Sequence, residues 1–427
     1  MRKRFQGVSG LLAFPVGSDA SIFADGGRSI RTSEGTGCER VSPPTAQSSA
    51  EGTDEPMAEP EKTRQASREL ERLRGRIDAI DDSILERLND RARVVQAVGQ
   101  LKESSGAAVY SADRERSIVK KLQAANPGPF PDEGLGPVFR EIISATRSLE
   151  EVLKVGYMGP EGTYSHAAAL QQFGESANLQ PFRSIADVFA AVERGKIGLG
   201  VVPVENTTEG MVAQTLDLLP GFEGTVCGEL QLRVSHDLLS QSGRLGDVRQ
   251  VISHPQPLAQ CREWLNGHLP EVERIEAAST AVAAQLAAEN SDLAAIGSAT
   301  SGEVYGLKTV ESAIEDRRDN TTRFLLIGTQ SPEASGHDLT SVVFTIRKDE
   351  SGGLFRLLEP VARHDVNLTS IQLRPIKGKP WEYLFFLDLE GHVSEARVSD
   401  ALAAAGEIAN STRVLGSFPR ARKAREG

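Results

Sequence analysis

Two groups of residues have the types and spacing to do chemistry. The first is a run of five, Asn320-Thr321-Thr322-Arg323-Phe324, which sets an amide, two hydroxyls and a guanidinium side by side. Such a set donates hydrogen bonds, and its guanidinium suits a carboxylate. The second group interrupts helical apolar stripes. Stepping by three and four through positions 74, 77, 81, 84, 88, 91, 95, 98 and 102, Arg74, Arg91 and Lys102 fall among aliphatic residues. Glu115 lines up with Ile118 and Leu122, while Thr146 and Glu150 share the stripe of Phe139, Ile142, Ile143 and Leu149. Any one of these polar residues reads as a side chain reaching out at a stripe edge. Together they read as a binding site, because charge at core positions is costly unless paired. Arg91 and Lys102 stand roughly 16 Å apart along a helix, so long side chains from both ends can converge on a small dianion.

The elements that must position these groups follow from periodicity. Leu70, Leu73, Ile77, Ile80, Ile84, Leu88, Val95 and Val98 predict one long helix of some thirty residues. Ser111 caps a second helix ending near Asn126-Pro127-Gly128, and a third covers 135–149. Three such helices bury little alone, so a homodimer or higher homo-oligomer is expected. After Lys154 short apolar runs (155–158, 197–204, 248–252, 293–296) alternate with helices (186–193, 257–265, 281–288), which predicts an α/β domain. Polar turns at the strand ends sit where α/β folds place ligands, at Gly159-Pro160-Glu161-Gly162-Thr163, Glu205-Asn206-Thr207-Thr208 and Ser253-His254-Pro255-Gln256. Beyond a linker at 331–338, runs at 341–347, 354–363, 367–375, 382–389, 393–404 and 412–419 read as a ferredoxin-like βαββαβ module.

The whole chain sets limits. Its 427 residues exceed one core. A net charge of -11 argues against nucleic-acid binding. The three cysteines, Cys38, Cys227 and Cys261, lack metal spacing, as do His166, His236 and His254, so no metal and no other cofactor is expected. The thiols fit a reducing, cytoplasmic setting; the basic start Met1-Arg2-Lys3-Arg4 is followed by an apolar run broken at Pro15, Gly17 and Asp19, and no run is long enough to cross a membrane. Residues 1–64, rich in Gly, Ser, Thr, Pro and Glu, are expected to be disordered, with Met57 as an alternative start.

Three resemblances cover roughly residues 66–420. Leu73-Arg74-Gly75-Arg76-Ile77-Asp78-Ala79-Ile80-Asp81, Asn89-Asp90-Arg91, Gly99-Gln100-Leu101-Lys102 and Asp113-Arg114-Glu115-Arg116 resemble the all-helical chorismate mutase domain. The resemblance implies a domain at 65–153 in which Arg74 of one subunit meets Arg91, Lys102, Arg114 and Glu115 of another around chorismate, with Ser111, Thr146 and Glu150 in the site. Lys102 donates to the ether oxygen, Arg91 clamps a carboxylate, and the reaction needs only preorganisation. Ser111 stands where an aspartate is usual. Glu150 must be protonated to donate, so mutase activity is expected to fall as pH rises.

Val155 to Gly328 resembles the prephenate dehydratase family through the turns above, with Val202-Pro203-Val204, Pro257, Tyr305-Gly306-Leu307 and the Asn320 to Phe324 run. This implies a two-lobed, periplasmic-binding-protein-like α/β domain at 154–330 with prephenate in the cleft. Thr322 is then the donor to the leaving hydroxyl, and Glu205, Asn206, Thr207, Ser253 and Gln260 shape the site. Arg323 and the turn Thr163-Tyr164-Ser165 are the anion contacts.

Ser351-Gly352-Gly353-Leu354 and Asn367-Leu368-Thr369-Ser370-Ile371-Gln372-Leu373-Arg374-Pro375 resemble the ACT regulatory domain, implied at 339–420. Phenylalanine is expected to bind between paired modules at Gly352, Gly353, Leu354, Asn367, Gln372, Arg374 and Pro375. The order is that of the bifunctional chorismate mutase-prephenate dehydratase family. Two alternatives stay open: a monofunctional prephenate or arogenate dehydratase whose helices only dimerise, and a non-catalytic amino-acid sensor.

Overall fold

The structure, a computed structural model, describes residues 61–105, 112–149, 153–346, 351–376, 378 and 382–421. The disorder expected for residues 1–64 lies outside the described residues as far as residue 60, but residues 61–64 are helical. Glu61, Lys62 and Arg64 are good helix formers and extend the first helix beyond its apolar stripe. Contacts divide the chain into two units after Leu70, and the described part of the first unit is the opening turns of that helix.

The helical region consists of α1 (Glu61–Ser105), α2 (Ala112–Ala125) and α3 (Asp132–Arg147). On α1 the predicted apolar stripe is exposed: Leu73, Ile77, Ile80 and Ile84 are between 43% and 57% accessible.

The next region forms two lobes. The first begins with β1 (Lys154–Met158), α4 (Tyr164–Phe173), β2 (Asn178–Phe182), α5 (Ile185–Glu193), β3 (Leu199–Asn206), β4 (Gly210–Met211), α6 (Ala213–Leu218) and β5 (Thr225–Arg233). The second holds β6 (Asp237–Ser240), β7 (Gln250–Ser253), α7 (Pro255–Gln260), α8 (Arg262–His268), β8 (Glu273–Glu276), α9 (Thr280–Glu289), β9 (Leu293–Gly297), α10 (Ala299–Tyr305) and β10 (Lys308–Glu311). β11 (Thr321–Gly328) then returns to the first lobe, where the sheet order is β2-β1-β3-β11-β5; the second sheet runs β10-β6-β9-β7-β8. The chain therefore crosses between lobes twice, after β5 and before β11. The two crossings bond to each other: Val234 N–H donates to the Asn320 carbonyl at 2.9 Å and Ile314 N–H to that of His236 at 2.8 Å.

The expected helix at 257–265 is two helices, α7 and α8. The second crossing breaks it. Asp316 N–H takes the Gln260 carbonyl at 2.8 Å, and the Asp316 carboxylate caps α8 by accepting from Glu263 and Trp264 N–H at 3.1 and 3.2 Å.

The last region is β12 (Asp338–Thr345), α11 (Gly353–Arg363), β13 (Leu368–Pro375), β14 (Tyr383–Glu390), α12 (Ala396–Ile408) and β15 (Ser411–Pro419). Its antiparallel sheet runs β13-β14-β12-β15, the order of the expected ferredoxin-like module. One sheet face packs under α11 and α12 through Phe344, Leu357, Leu387 and Val398. The other packs on the first lobe through Val343, Phe386, Leu415 and Phe418. At Gly416 the approach is so close that a Cβ would run into the Val226 carbonyl, so only glycine fits.

Candidate functional site

The Asn320 to Phe324 run forms the second crossing and the start of β11. On β11 consecutive side chains point to opposite faces. Phe324 and Leu326 pack with Ala168 and Phe173 of α4, while Leu325 and Ile327 pack toward α5, α6 and the C-terminal sheet. Thr322 therefore shares the face of α4, and Arg323 faces the C-terminal module.

Thr322 is buried at 8% exposure. The Asn206 side-chain nitrogen donates to its Oγ1 at 2.8 Å and to Asn320 Oδ1 at 2.8 Å. The Asn206 oxygen accepts from the N–H groups of Thr208 and Glu209, at 2.9 and 3.0 Å. Those two bonds fix which end of the amide meets Thr322. The threonine oxygen is thus an acceptor toward Asn206, and its own proton is left to donate elsewhere.

Arg323 corrects an expectation. Its guanidinium is held by Glu229 at 2.6 Å and Asp388 of β14 at 2.7 Å, with both ion pairs largely buried. It joins the first lobe to the C-terminal sheet and is turned from Thr322 by the strand's alternation. Glu205 is the register partner of Arg323, beside a register shift between Arg323 and Phe324. Thr207, exposed, closes the turn by donating to the Asp319 carbonyl at 3.1 Å and accepting from Thr321 N–H at 3.0 Å.

The turn before α4 behaves as a cap. Thr163 Oγ1 accepts from His166 N–H at 3.3 Å, and Ser165 is buried. Tyr164 reaches the first crossing: its hydroxyl is 2.7 Å from both the Ser235 carbonyl and His236 Nδ1. Its pKa is raised well above the ordinary value by burial, so it stays protonated. Gln260 Oε1 lies 2.7 Å from His236 Nε2. Ser253, fully buried, donates to the Ile296 carbonyl at 2.7 Å and is a strut between β7 and β9. His254 caps α7, accepting from Gln256 N–H.

Sequence reasoning considered His236 only as a metal ligand, and no metal-binding cluster occurs among the described residues. The imidazole is 1% exposed, and burial pushes its pKa down. His236 stands in the run 234–240, where every residue but Ser235 is buried, so no alternation marks it out. Glu315 was missed as well; it accepts from His236 N–H at 2.9 Å.

In the helical region Arg91 and Thr146 come together, with the arginine donating to the threonine hydroxyl and to the Ile142 carbonyl. Glu115 binds Arg147 at 2.6 Å; desolvation raises its pKa and the arginine opposes that rise. Arg147, one helical turn beyond Ile143 on the same stripe, was not singled out by periodicity. It also donates to the Phe173 carbonyl at 3.2 Å, tying α3 to the end of α4. Arg74 and Arg114 are exposed. Ser111, Glu150 and the side chain of Lys102 lie outside the described residues.

In the C-terminal module Gly352 adopts φ 74° and Gly353 opens α11, with Leu354 exposed. Asn367 donates to Glu390 at 3.1 Å, and Pro375 ends β13. Gln372 pairs with Phe386 and Arg374 with Leu384, on the face turned to the first lobe. Arg374 accordingly binds Asp217 of α6 at 2.7 Å, and Gln372 lines an interdomain pocket with Arg323. Both sit on the opposite sheet face from α11, so they do not join Gly352, Gly353 and Leu354 within one module.

A hinged two-lobed α/β domain with a polar cluster on its crossings, joined to a ferredoxin-like module, has the architecture of a regulated enzyme for small molecules. Known proteins give the finer assignment. Residues 155–332 match the family "Prephenate dehydratase", 73–151 "Chorismate mutase type II" and 340–407 "ACT domain". The bifunctional chorismate mutase/prephenate dehydratase of Aquifex aeolicus is 43% identical over 357 residues, covering 83% of this chain and 98% of that one. Its Pseudomonas aeruginosa counterpart is 40% identical over 359 residues, again 83% and 98%. The prephenate dehydratase of Arthrobacter aurescens, solved in complex with L-Phe, superposes with a TM-score of 0.59 at 33% identity, covering 64% of this chain and 92% of that one. The chain belongs to the family of bifunctional chorismate mutase/prephenate dehydratases.

Proposed function

We propose that this chain rearranges chorismate to prephenate among its N-terminal helices and converts prephenate to phenylpyruvate at the hinge, under feedback by L-phenylalanine. The observation that carries the second step is the donor alignment at Thr322. Asn206 occupies the threonine oxygen as an acceptor, so the hydroxyl proton can hydrogen-bond to the departing ring hydroxyl while the carboxylate leaves as CO2. A threonine is a weak acid, and it acts by hydrogen bonding within a relay.

The mutase reading assigns chorismate to Arg74, Arg91, Lys102, Arg114, Glu115 and Thr146, with Ser111 and Glu150 completing the site. It requires a homodimer, supported by the exposed stripe on α1 that a second copy would cover. Among the described residues no helix is long and apolar enough to cross a membrane, which fits a cytoplasmic enzyme. Feedback is assigned to Gly352, Gly353, Leu354 and Asn367, with a second module supplying the rest of the pocket.

Turnover of chorismate, prephenate and arogenate, each with and without phenylalanine, tests this reading. Phenylpyruvate from both chorismate and prephenate, suppressed by phenylalanine, is expected. Formation of phenylalanine from arogenate alone would replace it.

A further inference from the structure

One partly buried chain of hydrogen bonds links the two lobes and has no part in the scheme above. Tyr164 on α4 meets Nδ1 of His236, and Nε2 of His236 meets Oε1 of Gln260 on α7, each at 2.7 Å. His236 lies on the first crossing and its N–H is held by Glu315 of the second. It therefore touches both lobes and both crossings. Gln260 Nε2 is buried and has no partner among the described residues.

The imidazole tautomer decides which end of Gln260 is presented. When Tyr164 donates to Nδ1, giving up its bond to the Ser235 carbonyl, the ring proton sits on Nε2 and holds the glutamine by its oxygen, leaving the NH2 group free. When Tyr164 donates to the Ser235 carbonyl instead, it accepts the Nδ1 proton. Nε2 is then bare, and the amide must turn to donate to it, presenting oxygen. A carboxylate ligand selects the first arrangement, since it accepts from NH2 and is repelled by a carbonyl oxygen.

We propose that His236 is a positioning residue of the dehydratase, holding Gln260 with its NH2 group toward a substrate carboxylate while Tyr164 fixes the ring from the other lobe. This rests on reading the hinge as the prephenate site. His236 makes no contact with substrate and acts through Gln260.

Steady-state kinetics of the full-length chain on prephenate test it, with chorismate consumption as the check on folding. His236→Phe is expected to raise KM about tenfold with kcat within about threefold, the loss of one hydrogen bond to a charged group. Gln260→Ala should do the same, and the double variant should be no worse than either single one. His236→Gln, whose amide reaches the place of Nε2, should restore KM; His236→Asn, which reaches only the place of Nδ1, should not. An unchanged KM in His236→Phe overturns the proposal, as do equal effects of Gln and Asn. A parent that turns over no prephenate overturns the hinge reading itself; a parent that does, with Gln260→Ala impaired and His236→Phe normal, overturns the positioning role alone.

Discussion

Asn206 donates to Thr322 across 2.8 Å while two backbone N–H groups hold its oxygen. The direction of that bond leaves the threonine proton free. Asn206→Asp keeps the size and the Thr208 and Glu209 bonds but offers an acceptor that draws the Thr322 proton inward. It is expected to lower kcat on prephenate roughly 10²-fold, within the range for one catalytic donor, with KM little changed. Phenylpyruvate release measures it, and a normal kcat contradicts the donor role.

The apolar stripe of α1 is too large to stay in water without a partner. A charge at its middle, Ile80→Glu, should lower the sedimentation coefficient of the full chain and abolish chorismate turnover, because the proposed mutase site takes Arg74 from a second copy. A mutase that stays active as a monomer would contradict the shared site.

Thr322 and Arg323 are neighbours on β11, and Arg323 is bound by Asp388 of the C-terminal sheet. Asp388 also accepts from the Ser341 hydroxyl at 2.5 Å. Removing one partner of such a buried network typically destabilises by about 3 kcal/mol. Asp388→Asn is expected to lower the thermal midpoint and raise severalfold the phenylalanine concentration needed for half inhibition. An unchanged inhibition curve with a lowered midpoint would confine Arg323 to a structural role.

Burial holds the pKa values of His236 and His166 below the ordinary imidazole value. The unfolded chain takes up protons near pH 6.5, the folded chain only at lower pH. Their contribution to stability is therefore complete above about pH 6.5 and is lost as pH falls through the folded values. Glu315 and Asp237 face His236 and oppose part of the shift. The thermal midpoint should drop between pH 7 and 5, less steeply in His236→Gln. Parallel slopes would show that His236 does not titrate as described.

The sequence was most readable where local pattern decides structure. Period and turn chemistry are enough to order the βαββαβ module, and the alternation of short apolar runs is enough for an α/β domain. They fail where a distant segment intervenes, as when Asp316 splits the expected helix near Cys261. Side-chain direction was the other gap. Arg323 follows Thr322 directly, and nothing local says that Glu229 and Asp388, distant in sequence, wait on the opposite face. The motif marks the second crossing and the start of β11, but not which way each of its side chains turns. His236 was hidden because its partners, Tyr164 and Gln260, come from both lobes.

The central claim is two separate active sites on one chain. Chorismate consumption and prephenate turnover measured side by side in Arg91→Ala and Thr322→Ala test it most directly. Arg91→Ala should lose chorismate consumption by at least about 10²-fold and keep prephenate turnover; Thr322→Ala should do the reverse. Either substitution abolishing both activities in a folded chain, or neither, would contradict the account.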